Sequence, residues 1–233
     1  AAAGADPGRQ RRVHPHPHAA LQLRRLPALR EGDGGDAAAE DRRRIVAVQA
    51  VDGALHQQDS SLVVACSGGA DSLALAFAVD YVTTRRGLGH SAVVIDHGLQ
   101  DDSAEVAGRV ADRLATLGYD DVVIIAVEVD QSSAVGPEAA ARQARYRALD
   151  TEARARAATV WLGHTLDDQA ETVLLGLARG SGTRSLAGMV PRAGHLVRPF
   201  LRIRRTTTEQ VCAELGLEPE RVAVGLGVKD RTV

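Results

Sequence analysis

The sequence predicts an α/β fold: an open, mostly parallel twisted sheet with helices on both faces. Two observations carry this. The runs Leu62–Cys66, Ala92–Asp96, Val122–Val127 and Thr159–Gly163 are short and rich in Val, Ile, Leu and Ala, as strands covered on both faces should be. Longer segments with helical spacing of apolar residues lie between them, and this β-α-β-α alternation argues for a parallel sheet.

The elements follow in order. Residues 1–40 mix Pro, His, Gly and Arg without a sustained period, so they are expected to be disordered or non-native. We read His14, His16 and His18 there as part of a solvated tail rather than a metal site. From Asp41, "DRRRIVAVQAVDGALHQ" suits an amphipathic helix. The strand at Leu62 then runs into the loop Ser67-Gly68-Gly69-Ala70-Asp71-Ser72, from which a helix leaves. Val106, Val110, Leu114 and Leu117 mark the next helix, Glu138–Ala155 another, and Ala170, Val173, Leu174 and Leu177 an apolar stripe on a further one. After Gly180, Gly and Pro punctuation indicates a loop region. A last helix is expected over Thr206–Leu215, capped by Thr and closed by Gly216. The folded domain is therefore placed at 41–217 and a tail at 218–233.

Composition narrows the class. The chain has 233 residues, 45% of them hydrophobic, which suggests one domain with appendages or two small ones, with enough apolar residues for a real core. Only two Phe, three Tyr and one Trp occur, so aliphatic residues must build that core. A net charge of −2 argues against an overall basic nucleic-acid binder. No apolar run approaches the ~20 residues of a membrane span, and no signal-peptide pattern is visible. Cys66 and Cys212 form no close pair, which excludes a CxxC metal site and suits a reducing, cytoplasmic setting.

The loop at Ser67–Ser72 carries the clearest chemistry. It lies between the carboxyl end of a strand and a helix N-terminus, where ligands of open α/β sheets bind and where free N–H groups and the helix dipole favour an anion. Gly68 and Gly69 permit close backbone approach. Ser67 and Ser72 can donate to phosphate oxygens. Asp71 beside a phosphate is most useful as a Mg²⁺ ligand. The loop is not a Walker A motif, since the GK[ST] ending is missing. On the two glycines alone, a plain turn capped by Ser67 or Asp71 would be the simpler alternative.

SGGxDS after a hydrophobic strand resembles the pyrophosphate-loop ATPases, which split ATP between its α and β phosphates and adenylate a substrate. Three further stretches resemble the tRNA(Ile)-lysidine synthase family in particular. "VVIDHGLQDDSAEVA" is similar to that family's "VDHGLR…SAEEA", "EAAARQARYRAL" to its "EAAARxARY" helix, and "LGHTLDDQAETVLLGLARGSGTRSLAGM" to its "AHHxDDQAETxLxxLxRGSGxxGLxGM". "VRPFLRIRR" is similar to its "RPLL…R" segment. The likeness covers roughly Leu62 to Leu217. Both ends depart from the family: the Asp-Pro-x-Asn and "RNxxR" segments are missing, and C-terminal tRNA-binding domains are expected to be absent.

The resemblance implies an adenine nucleotide alpha hydrolase-like fold of the N-type ATP pyrophosphatases. It implies ATP and Mg²⁺ as cofactors, with Ser67, Gly68, Gly69, Ala70, Asp71, Ser72, Asp96, His97, Gly180 and Gly182 at ATP and Asp71 at the metal. Asp167, Asp168 and Glu171 would hold free L-lysine, and Asp71, Asp168 and Glu171 would be catalytic. Arg142, Arg145 and Arg179 would contact phosphate or RNA. The implied reaction joins lysine to C2 of the wobble cytidine of tRNA(Ile) bearing a CAU anticodon, by way of an adenylated cytidine. The expected setting is cytoplasmic, without a membrane, and with a homodimer left open. The alternatives are another pyrophosphate-loop adenylating enzyme and a non-catalytic ATP-binding remnant. A tRNA thiolase would be expected to show CxxC pairs. The capping reading also remains for the acids, since Thr165 and Asp168 form a T-x-x-D capping box.

Overall fold

The computed structural model describes residues 10–13, 36–98, 102–128, 136–178 and 187–220. Its elements run β1 (Gln10–Val13), α1 (Asp36–Ala54), β2 (Ser61–Ala65), α2 (Ala70–Arg86), β3 (Gly89–Asp96), α3 (Ser103–Thr116), β4 (Val122–Ala126), α4 (Pro137–Ala155), β5 (Thr159–Leu162), α5 (Leu166–Ala178), β6 (Arg192–Ala193), β7 (Leu196–Val197) and α6 (Arg205–Glu214). The strands form one sheet in the order β1-β4-β3-β2-β5-β7-β6. From β4 to β7 all neighbours are parallel, and the edge strands β1 and β6 are antiparallel.

Alternation along each strand feeds two cores. Leu62, Val64, Cys66, Ala92, Val94, Val122 and Ile124 face one side and meet Ala47 and Val51 of α1, the length of α2, Val110 and Leu114 of α3, and Val211 and Cys212 of α6. Val63, Ala65, Val93, Val123, Ile125 and Val160 face the other side and meet Leu149 and Ala153 of α4. Both faces of the central strands are thus covered, which is why they read as continuous apolar runs. The four strands predicted from the sequence appear within one to three residues of their expected ends.

Three expectations need correction. Residues 10–13 were expected within a disordered segment, yet they pair with β4 as an antiparallel edge strand, Val13 opposite Val122. The other expectations for residues 1–40 before Asp36, including His14, His16 and His18, lie outside the described residues. The region after Gly180 holds the β6–β7 hairpin, whose turn contains Gly194 at φ 58°. Strands of two residues give no periodic signal. Finally, the stripe on α5 does not enter the core. Leu174 and Leu177 are 63% and 53% exposed, and no residue of α5 is buried.

The chain lays down β2, β3 and β4 outward to one side, then crosses by α4 to place β5 on the other side of β2. The order reverses between β2 and β5. In open α/β sheets such a switch point opens a crevice at the carboxyl ends of the two strands. The loop after β2 and the His164–Asp168 segment after β5 both border it.

Candidate functional site: a crevice between β2 and β5

Ser72 organises the loop from within. The Ser67 N–H donates to Ser72 Oγ at 3.2 Å, and Ser72 Oγ donates to the Gly69 carbonyl at 2.9 Å. Gly68 sits at φ 85°, where a Cβ would meet Val110 Cγ2 at 2.5 Å. Neither Ser67 nor Asp71 caps the helix. The N-cap is Gly69, and no side-chain bond is made there. The simple capped turn is therefore not what forms. The Ser72 and Leu73 N–H groups donate to the Gly69 carbonyl, while those of Ala70 and Asp71 make no bond to a described residue and, with the helix dipole, favour an anion. Gly163, at the end of β5, closes the crevice floor: a Cβ there would lie 2.8 Å from the Asp71 carbonyl oxygen.

Asp71 projects from the first turn of α2 with both carboxylate oxygens engaged. Thr208 Oγ1 donates to Oδ1, and Arg205 Nε donates to Oδ2 at 3.2 Å. Burial pushes the Asp71 carboxyl up from its ordinary value, against the pull of Thr208 and Arg205. The side chain is a hard oxygen donor beside an anion-favouring helix start. Mg²⁺ uses one or two carboxylates and completes its shell with phosphate oxygens and water, so this residue fits that ion. Among the described residues no group of three His, Cys, Asp or Glu side chains could hold a metal without such a partner.

The acids after β5 divide in purpose. Asp168 Oδ2 accepts from the Thr165 N–H at 2.7 Å and from its hydroxyl at 2.9 Å, so the half of the capping box in which the acid reaches back to Thr165 forms. Its other oxygen, Oδ1, accepts from Arg205 Nη2 at 2.7 Å. Asp167 Oδ2 accepts from the backbone N–H of Arg205 at 2.8 Å. That bond supplies the cap of α6, which no residue of its own turn provides: the helix begins one residue earlier than expected, and its N-cap Arg204 makes no side-chain bond. Gly216 closes it at φ 63° as expected. Glu171 is exposed and makes no bond to any described residue.

Arg205 thus joins the loop and the acids, touching Asp71, Asp167 and Asp168 at once. Burial opposes its charge, but the carboxylates of Asp168 and Asp71 outweigh this and raise its pKa. Sequence reading missed Arg205 and Thr208. They come from more than 130 positions away in the chain, and only the fold brings them in.

A positive wall stands opposite. His164 is pushed down to about 4, first by burial and then by Arg145 and Arg198. His97 is lowered by burial and by Arg145. The Nδ1 atoms of both imidazoles are buried without a hydrogen-bond partner. Arg145 makes no bond to a described residue, and burial acts against its charge. The two imidazole nitrogens lack a partner where burial makes that costly, and the half-buried Arg145 guanidinium beside them suits an anion. Arg142, expected to act with Arg145, instead lies exposed over the Tyr146 ring, with its guanidinium carbon 5.0 Å from the ring centroid. Asp96 accepts from the Gly98 N–H at 2.9 Å and so starts a turn. His164 and Arg198 were also missed by sequence reading. Arg179, Gly180 and Gly182 lie outside the described residues.

Gln169 explains another part of the motif. Its Nε2 donates to the Met189 carbonyl at 2.8 Å, and its Oε1 accepts from the Met189 N–H. A Cβ on Gly188 would lie 2.7 Å from that Oε1. The Gln of "DDQAET" and the "GM" of "LAGM" are therefore the two halves of one clamp.

Comparison with known proteins agrees with this geometry. A family model described as the PP-loop domain matches residues 40–218. The tRNA(Ile)-lysidine synthase of Leifsonia xyli subsp. xyli is 55% identical over 159 residues, covering 68% of this chain and 47% of the relative. That of Thermobifida fusca is 55% identical over 161 residues, covering 69% and 49%. The chain spans about half the length of these curated relatives. Among solved structures, the U34-tRNA thiolase NcsA from Methanococcus maripaludis with its [4Fe-4S] cluster has a TM-score of 0.62 at 16% identity, covering 78% of this chain and 67% of that one. That likeness concerns the fold. With the loop at the switch point and a model match over most of its length, the chain belongs to the PP-loop domain family.

Proposed function

We propose that this chain carries the catalytic part of an ATP-dependent ligation of lysine to C2 of cytidine 34 in tRNA(Ile) with a CAU anticodon. The observation that supports it most is the junction at Arg205. It puts the loop's Asp71 and the Asp168 of the second motif at one crevice, so a phosphate and an ammonium group can be held side by side.

ATP lies with its phosphates on the Ser67–Ser72 backbone and the start of α2, facing Arg145. Mg²⁺, when bound, neutralises charge on the phosphates at Asp71. The cytidine O2 attacks the α phosphorus; the bond to the β-phosphate oxygen breaks and pyrophosphate leaves. The resulting O-adenylated C2 is electrophilic and carries a good leaving group. The lysine ε-amine, having lost a proton, attacks C2, and the C2–O2 bond breaks with release of AMP. Glu171 is the carboxylate open to the ammonium group, and Asp168 joins it when Arg205 moves. Asp167 is committed to α6 and leaves the expected lysine-binding set. Holding the three reactants together can lower the barrier by ~7–11 kcal/mol. Among the described residues no helix is long and apolar enough to cross a membrane. The setting this reaction requires is cytoplasmic, where tRNA and lysine are available.

The test supplies the protein with ATP, Mg²⁺, labelled lysine and a tRNA(Ile) transcript. Label should enter the tRNA only when position 34 is cytidine. Absence of both lysine transfer and tRNA-dependent ATP–pyrophosphate exchange would overturn the proposal.

A further inference from the structure

We propose that Arg205 is an internal cation that pairs with Asp71 and Asp168 until a nucleotide displaces it, and that its release makes nucleotide–metal binding precede lysine binding. This deepens the reading above and rests on Asp71 as the metal carboxylate.

The geometry is specific. One guanidinium donates through Nε to Asp71 at 3.2 Å and through Nη2 to Asp168 at 2.7 Å. Both oxygens of Asp71 already accept a hydrogen bond, since Thr208 donates to the other. A divalent ion on Oδ2 would sit about 2 Å from that oxygen, within a few ångströms of the guanidinium, and two cations that close repel each other. Arg205 must therefore leave Asp71. It can, since its side chain is 44% exposed and exposed pairs are weak. Its backbone stays fixed by Asp167, and the neighbouring Ile203 carbonyl accepts from the Leu166 N–H at 2.9 Å. Only the side chain has to swing, toward the phosphates that arrive with the metal. That same swing uncovers Asp168 Oδ1. An ammonium group arriving before the nucleotide would meet a carboxylate already paired.

The test measures lysine binding by calorimetric titration, with and without a non-hydrolysable Mg·ATP analogue, in the unaltered protein and in Arg205→Met. Unaltered protein should bind lysine measurably only with the analogue present. Arg205→Met should bind lysine without the analogue, roughly tenfold or more above the unaltered protein, and adding Asp168→Asn should remove that gain. Arg205→Met with unchanged melting that binds lysine no more tightly than the unaltered protein without the analogue overturns the proposal. So does equal lysine affinity with and without the analogue, a result that needs no variant to fold. None of these titrations contains tRNA. Failure of lysine transfer with the expected titrations would remove only the ligation reading, and the reverse pattern would remove only this one.

Discussion

Helices α2 and α5 start alike and end up in opposite surroundings. Each begins after a strand at the switch point, and each carries acid in its first turn. Ten of the 17 residues of α2 are buried, from Ser72 to Thr83, whereas α5 buries none. The loop end of the candidate site is therefore held by hydrophobic packing. The acid end is held by a few polar links: Thr165 to Asp168, Gln169 to Met189, and Asp167 to Arg205. A ligand-shaped loop needs backbone precision, which a packed core supplies. A group that must release one cation to accept another is better placed on a lightly anchored element.

This contrast sets an order of expected effects. Leu75→Ala in α2, a fully buried site, should cost about 2–5 kcal/mol in urea unfolding. A loss below 1 kcal/mol would mean that α2 is not the anchor. Gly163→Ala should cost about 1–3 kcal/mol and weaken ATP binding together with it, since its Cβ presses on the Asp71 backbone. Undiminished ATP affinity would show that the crevice floor does not shape the loop.

Acidity probes the positive wall. His164 is held near 4 in the folded protein against an ordinary 6.5, so the unfolded chain binds more protons between those values. Stability is complete above about pH 6.5 and is lost as pH falls toward 4. His97 is shifted the same way. Replacing His164 with Gln should reduce the slope of stability against pH in that window while leaving the share due to His97. An unchanged slope would place His164 in solvent.

Gln169→Ala should cost about 1 kcal/mol and expose the Met189 amide to rapid hydrogen exchange. Leu174→Ser should stay within about 0.5 kcal/mol, because that side chain is mostly exposed already. A cost near that of Leu75→Ala would mean that α5 is covered in the protein as it works.

The contrast also explains what the sequence could reveal. The central strands and α2 were legible because burial on both faces leaves nothing but Val, Ile, Leu and Ala at successive positions. The phosphate loop was legible because its requirements are local: positive φ at Gly68, a hydroxyl at Ser72, an acid in the next turn. The stripe Ala170, Val173, Leu174 and Leu177 has the same period whether or not anything covers it, so its exposure could not be read. Arg205, Thr208 and Gly163 act through partners far along the chain; Arg205 and Gly163 lie within stretches that resemble the family, but a likeness in sequence does not say which distant group a residue meets. The division of labour among Asp167, Asp168 and Glu171 escaped for a related reason. One carboxylate serves another helix, one pairs with a distant arginine, and one stands open, yet all three look alike in a row.

The nucleotide product tests the central claim most directly. In the proposed reaction the loop holds a triphosphate so that its α phosphorus is attacked, and the acids beside it receive an amine. Protein incubated with α-labelled ATP, Mg²⁺, tRNA(Ile) and lysine should form AMP and pyrophosphate, one equivalent for each lysine transferred. ADP and phosphate as products, or AMP formed at the same rate without tRNA, would contradict the account.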